Sequence, residues 1–245
     1  MRQSPLGLEL PPLESRQIPP PTPEQVWALI GVAKQLGGLG CALTYMGAFT
    51  GVRRNEALGL RFNDIEWFGN EVNVRHAISK RRGTDGAHKW KWHVGPPKSR
   101  KSLRRIAATE SVMKMLADLK VGKPDGAFIF PGDSNGFIDP DKFDLELWKP
   151  IAEKAGMAGT RFHDLRHFFA GQLIAQGETA AYVRDQMGHS SIRSPSIRMG
   201  ISSQAVARKP APAMRSRWRM RRFATRRRPV LAIDGEEGPE GTVTN

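Results

Sequence analysis

"TGVRRNEALGLRFNDIEW", Thr50 to Trp67, decides the fold because it changes character twice. It begins as the end of an apolar run, turns cationic at Arg53 and Arg54, and places Glu56 three residues beyond Arg53. Three residues are close to one helical turn, so Arg53 and Glu56 share a face. Upstream, Val26–Val52 holds enough apolar residues for two packed helices, broken at "GGLG" (37–40). Before these, "IPPPTPEQV" (18–26) reads as an extended linker opening into a helix. Thr22 can cap it, Pro23 fits the first helical position, and Glu24 and Gln25 suit the first turn.

Downstream the period changes. "EVNVRHAIS" (71–79) alternates as a strand, "RRGTDGAHK" (81–89) is turn-rich, "WKWHV" (90–94) alternates again, and "SLRRIAA" (102–108) forms a further strand. Helices are expected at "ESVMKMLADL" (110–119), at "DKFDLELWKPIAEKAG" (141–156) despite Pro150, at "FHDLRHFFAGQLIAQG" (162–177) and at "ETAAYVRDQMG" (178–188). "GAFIFPGD" (126–133) reads as a buried connector. The expected fold is mixed α/β, mainly α-helical, with one small antiparallel β-sheet carrying a long hairpin. Three regions follow: a Pro-rich linker over 1–21, a folded body over 22–193, and a tail over 194–245. A linker implies something before it, so an N-terminal partner domain is expected to be missing.

The 245 residues are 39% apolar and 25% charged, a globular composition. Lys and Arg number 38 against 24 Asp and Glu, a net charge of +14. Such an excess favours a polyanion, usually nucleic acid, through phosphate contacts and released counterions. A ribosome-associated or merely basic protein stays open on charge alone. Half of the excess lies in the tail: Arg198 to Arg228 holds 11 basic residues and no acid. Disorder is the expectation there. Cys41 is the only cysteine, so no disulfide can form within the chain, as suits a reducing cytoplasm. It reads as a small core residue. No signal-peptide core and no membrane-length apolar run appear, so no membrane partner is expected. The expected location is the cytoplasm, at the nucleoid.

Four short motifs carry chemistry-bearing residues: Arg53 and Glu56; Lys98 in "PPKSRKSLRRI" (96–106); His163 and Arg166, one turn apart in "HDLRH" (163–167); and His189 in "MGHSSI" (187–192). Singly, each has a plain explanation. Arg53 and Glu56 can be a helix-surface ion pair, Lys98 a solvated loop charge, and His163 with Arg166 a capping pair.

In order and combination, however, "TGVRRNEALGL", a Lys-bearing hairpin, "HDLRH" and "MGHSSI" resemble the tyrosine recombinase, or phage integrase, family of DNA strand-exchange enzymes. The likeness runs from about Thr22 to Ile192, the family's catalytic domain. It implies a double-stranded DNA partner, assembly of several copies on that DNA, and no metal or other cofactor. By resemblance, Arg53 and Arg166 clamp the non-bridging oxygens of a phosphodiester, as guanidinium forks can. His163 bonds the phosphate and assists proton transfer, and His189 donates a further hydrogen bond. Lys98 protonates the departing 5′ oxygen as general acid. Glu56 supports the basic cluster.

The family's nucleophile is a tyrosine about ten residues past the "GH", which forms a 3′-phosphotyrosyl intermediate. None stands there. The only tyrosines, Tyr45 and Tyr182, precede His189 and read as packing residues. The genetic code offers a reason. With CGT for Arg198 and ATG GGC ATC TCT TCC CAG through Gln204, reading from the last base of the arginine codon gives TAT GGG CAT CTC TTC CCA. That is Tyr-Gly-His-Leu-Phe-Pro, a family-like string; its Gly is forced by Met199 and Gly200 and the rest is permitted. A one-base deletion, or a sequencing error, near the codon of Arg193 is therefore expected. The chain as written is expected to bind DNA without cleaving it by the tyrosine route. Three alternatives stand beside this: a nucleophile-free DNA-binding regulator of recombination, a nuclease that uses water on the same cluster, and the functionless product of a decaying gene.

Overall fold

The computed structural model describes residues 19–82, 90–133 and 136–188. Most of the expected linker, the hairpin tip, His189 and the tail from 194 lie outside these.

Helix α1 (Pro23–Leu36) starts as the sequence predicts. The Thr22 hydroxyl accepts from the Gln25 N–H at 3.3 Å, and the Gln25 side chain accepts from the Thr22 N–H at 2.8 Å. Two donors that the first turn cannot satisfy are thus covered reciprocally. The helix buries Val26, Leu29, Ile30 and Ala33 and stops at Gly37, φ 70°. The break is that one residue and not the whole "GGLG", because α2 (Gly38–Thr50) resumes at once.

Helix α2 is buried along most of its length and crosses α7 (Phe162–Ala175) at Gly47. A Cβ there would lie 2.8 Å from both Leu165 and Phe162, so only glycine lets the backbone come this close. Leu165 and Phe169 are at most 1% exposed in this layer. Burying each such side chain is worth roughly 1.5–3 kcal/mol. Cys41, expected in the core, is only partly buried on α2.

Among the described residues the expected single sheet is two. Strands β1 (Ile65–Glu66), β2 (Glu71–Val74) and β5 (Arg104–Ala107) form an antiparallel sheet in the order β1-β2-β5, with Val72 opposite Ile106 and Val74 opposite Arg104. Strands β3 (Ala77–Arg82) and β4 (Trp90–Gly95) form a separate hairpin. The run 71–79, read as one strand, divides at Arg75 and His76. The cause is Asp64, 1% exposed at its side chain, whose Oδ1 accepts from Arg75 Nε at 2.7 Å. A buried carboxylate needs a partner, and Arg75 leaves the strand line to be that partner.

Helix α4 (Glu110–Lys120) is capped by Thr109, whose hydroxyl accepts from Val112 N–H. The connector buries Ile129 and Phe130 completely. The helix expected around Pro150 is present with a change of winding. Short α5 (Pro140–Lys142) runs through a π turn (Phe143–Trp148) into α6 (Lys149–Lys154). Pro150 has no N–H and its ring crowds the carbonyl four residues back. The preceding turn widens, and Lys149 N–H donates to Asp144, five residues back. Helix α8 (Ala180–Met187), capped by Thr179, ends at Gly188 in the left-handed region, φ 57°.

Candidate active site

The site forms where the ends of several elements meet. Helix α2 ends at Thr50, and Gly51 turns the chain with φ 59°. A Cβ on Gly51 would sit 2.4 Å from the Phe169 ring, so glycine is required by both conformation and space. The turn delivers Arg53 to the start of short α3 (Arg54–Ala57). Glu56 then reaches back: its Oε2 accepts from the Arg53 backbone N–H at 2.9 Å and its Oε1 from Arg53 Nη1 at 2.7 Å. This is no surface pair, since the Glu56 side chain is 3% exposed.

Arg104, a residue not singled out from the sequence, completes the arrangement. Its Nη1 and Nη2 donate to the two oxygens of Glu56 at 3.0 and 2.9 Å, and its Nε donates to the Gln186 carbonyl at 2.8 Å. Its side chain is 5% exposed. Alternation along β5 held the signal: Arg104 shares a face with Ile106, which is fully buried, while Arg105 points outward. A cation on the core side of a strand marks a buried partner.

Arg166 comes from the middle of α7 and is 1% exposed. Its guanidinium donates to the Gly51 carbonyl and to the Met187 carbonyl. Among the described residues no carboxylate pairs with it, and its Nε has no hydrogen-bond partner. Arg53 joins the same region through Nη2, which donates to the Gly188 carbonyl at 3.2 Å. The structure thus brings together Arg53, Glu56 and Arg166 of the sequence-derived set, and adds Arg104.

Charge governs this cluster. Burial alone would raise the Glu56 pKa, but the hydrogen bonds and charge of Arg104, then Arg53, outweigh it and hold the carboxyl at about 2. For Arg166, burial first and then the like charges of Arg53 and Arg104 push the pKa well down, with Glu56 pulling the other way. Three guanidiniums share one carboxylate. A docked anion relieves that excess, and the two carbonyl-bound sides of Arg166 fix which way its remaining donors face.

His163 lies one turn before Arg166 and is exposed on its outer side. Burial of its inner side, then the His167 and Arg166 neighbours, lowers its pKa to about 4, so it is neutral at pH 7. His167 meets it edge-on with ring centroids 5.0 Å apart. The capping role open to His163 falls instead to Asp164, which accepts from the Arg161 N–H at 2.8 Å. Lys98 is exposed in the loop between β4 and β5 and, among the described residues, makes no hydrogen bond or ion pair with the cluster. His189 lies outside the described residues. Tyr45 packs on Phe49 at 5.2 Å, and burial raises the Tyr182 phenol pKa, the wrong direction for a nucleophile. Among the described residues no three His, Cys, Asp or Glu converge as a metal site, and no helix is long and apolar enough to cross a membrane.

Known proteins resemble this chain in sequence and in fold. The profile of the phage integrase family matches residues 22–197. A tyrosine recombinase XerC-like protein of Caldanaerobacter subterraneus subsp. tengcongensis is 28% identical over 71% of this chain and 47% of its own length. The ICEBs1 integrase of Bacillus subtilis is 25% identical over 59% of this chain and 40% of its own. The chain therefore spans less than half the length of these relatives. A solved Tn1549 transposon integrase, in complex with transposon right-end DNA, superposes with a TM-score of 0.62 at 18% identity, covering 88% of this chain and 71% of that one. That last likeness is one of fold: mainly helical, with small antiparallel sheets. With its family profile spanning well over half its residues, this chain belongs to the phage integrase family.

Proposed function

We propose that this chain is the catalytic domain of a site-specific DNA recombinase or integrase, able to bind duplex DNA and seat one phosphodiester but lacking the tyrosine that cleaves it. One observation carries the reading: Arg166 is a fully buried guanidinium held by carbonyls alone, beside Arg53 and Arg104, with Glu56 the one carboxylate among them. Such a cluster favours an anion with several acceptor oxygens.

In the reaction of the whole enzyme, Arg53 and Arg166 hold the non-bridging oxygens. His163, neutral at pH 7, donates a hydrogen bond to the phosphate from its one N–H and assists proton transfer, and His189 donates another. Lys98 gives a proton to the departing 5′ oxygen. A tyrosine oxygen attacks phosphorus from the opposite side and keeps the strand as a phosphotyrosine. The family match ends at residue 197, just before Arg198, where a shifted reading frame can encode that tyrosine. We take the tail from 194 as out of frame, and assembly on DNA at the nucleoid as the native setting.

The test compares this chain with a version carrying the shifted frame from codon 193 onward. Both are incubated with nicked duplexes from the source genome's integration junctions and run on denaturing gels. An adduct in the restored version only supports the reading. An adduct with the chain as written, or nicking without one, overturns it in favour of a displaced nucleophile or of water. Duplex binding with no adduct in either version moves the regulator reading to the front.

A further inference from the structure

The proposed phosphate clamp has an electrostatic difficulty. A carboxylate sits within bonding distance of Arg53, one of the two guanidiniums assigned to the phosphate. Glu56 is 3% exposed at its side chain, so water does little to weaken its pull. Alone with Arg53 it competes directly with the incoming anion.

We infer that Arg104 is a positioning residue that occupies both oxygens of Glu56, leaving Arg53 and Arg166 their charge for the phosphate. This rests on the clamp reading above. Four observations carry it. The Arg104 fork is bidentate on Glu56, at 3.0 and 2.9 Å, whereas Arg53 engages Glu56 through one guanidinium nitrogen and its backbone N–H. Arg104 is anchored independently, by Nε to the Gln186 carbonyl and by Nη1 to the Ser102 carbonyl. It is more deeply buried than Arg53, 5% against 33% exposed at the side chain, so it faces the carboxylate and not the open side. Finally, Gly188 is moulded to it: a Cβ there would lie 2.8 Å from Arg104 Cδ and 3.1 Å from Nε.

Counted as charges, Arg53, Arg104 and Arg166 against Glu56 leave two positive. A phosphodiester carries one negative charge in the ground state and gains another as a nucleophile adds. With Arg104 present the cluster balances the second state; without it, the balance falls one charge short, where stabilisation matters most. Lys cannot substitute fully, since one ammonium cannot span both Glu56 oxygens and the Gln186 carbonyl in a planar fork.

The experiment follows inorganic phosphate binding to the full chain by the NMR shifts of the Arg53 and Arg166 Nε–H groups, in the wild type and in Arg104→Gln, Arg104→Lys and the double variant Arg104→Met/Glu56→Gln. In the wild type both signals must move together and saturate; if they do not, the clamp reading itself fails, whatever Arg104 does. Given that binding, Arg104→Gln is expected to weaken it about tenfold, the size of one lost charge-assisted contact. Arg104→Lys should fall between. The double variant removes one charge of each sign and should recover most of the loss. If Arg104→Gln does not fold, the double variant still decides: binding within a few-fold of wild type supports the inference. A folded double variant as weak as Arg104→Gln, or tenfold below wild type, overturns it, because that is how a purely structural bond behaves. Unchanged binding in folded Arg104→Gln overturns it as well.

Discussion

Two parts of this molecule use the same side-chain chemistry in opposite surroundings. In the seam between α3, β5 and α7, Glu56 meets Arg104 and Arg53 with almost no solvent. On the flank, the β3–β4 hairpin is tied to α5 by Lys80 and Asp141 at 2.8 Å, with side chains 45% and 63% exposed. The distances are alike. The difference is what surrounds each pair when it breaks: water accepts a freed Lys80, whereas a freed Arg104 has only protein around it.

Removing Glu56 is the hardest test of that contrast. Glu56→Ala leaves three guanidiniums facing each other with no counter-charge, and should cost about 3–5 kcal/mol, as breaking a buried pair does. Urea unfolding read by tryptophan fluorescence measures it. A loss below about 1 kcal/mol would place the seam in the same class as the hairpin tie. Acid probes the same group more gently. The Glu56 carboxyl is held at about 2 against an ordinary 4.5, so its contribution is complete above pH 4.5 and is lost as pH falls toward 2. Linkage puts the total at roughly 3 kcal/mol. His163 acts in a higher window. Its folded pKa, near 4, lies below the ordinary 6.5, so the unfolded chain takes the proton first. Its contribution is whole above pH 6.5 and is lost as pH falls toward 4, by less than the full linkage value because the ring's outer side is solvated. The expected stability profile therefore falls in two steps on acidification, and His163→Gln should shrink the upper one without touching the lower, because burial lowers the His167 pKa as well and gives it a share of the upper step.

Gly51→Ala moves the test from charge to backbone. The new methyl meets the Phe169 ring at 2.4 Å in a left-handed turn, which should cost about 2–3 kcal/mol. It also shifts the carbonyl that receives Arg166. Loss of phosphate binding beyond the loss of stability would show that the turn aims the guanidinium. An equal loss in both would mean that it only supports the fold.

The legible parts of this chain were those set by neighbours in sequence. Thr22 caps its helix as the sequence predicts, because capping acts over three residues, and Thr109 and Thr179, not named from the sequence, cap theirs in the same way. The helix at 141–156 was expected despite Pro150, and its change of winding was not, since a π turn and a kink relieve the same clash. The strand break at Arg75 was illegible because its partner, buried Asp64, lies 11 residues back beside the neighbouring strand, beyond the reach of a period-two pattern. Arg53, Glu56 and Arg166 could be named from motifs, whereas Arg104 could not. "LRRI" offers two adjacent arginines; alternation with Ile106 turns Arg104 inward, but only the fold shows that Glu56, 48 residues back in the chain, waits there. The nucleophile is a different matter: no folding rule restores a residue that the written frame does not encode.

The smallest effect belongs to the hairpin tie, and it separates two contacts made by one side chain. Lys80 Nζ also lies over the Trp92 ring, 4.7 Å from its centroid. Asp141→Asn removes only the ion pair and should cost under about 0.5 kcal/mol, because both partners are well solvated. Lys80→Ala removes the ring contact too and should cost about 0.5–1 kcal/mol. High salt should erase the first loss and leave most of the second, since screening acts on exposed ion pairs more than on a cation resting against a ring. Equal losses for the two variants, both erased by salt, would assign the whole tie to the carboxylate. The contrast with the seam would then be one of solvent exposure alone, with no share for the aromatic face.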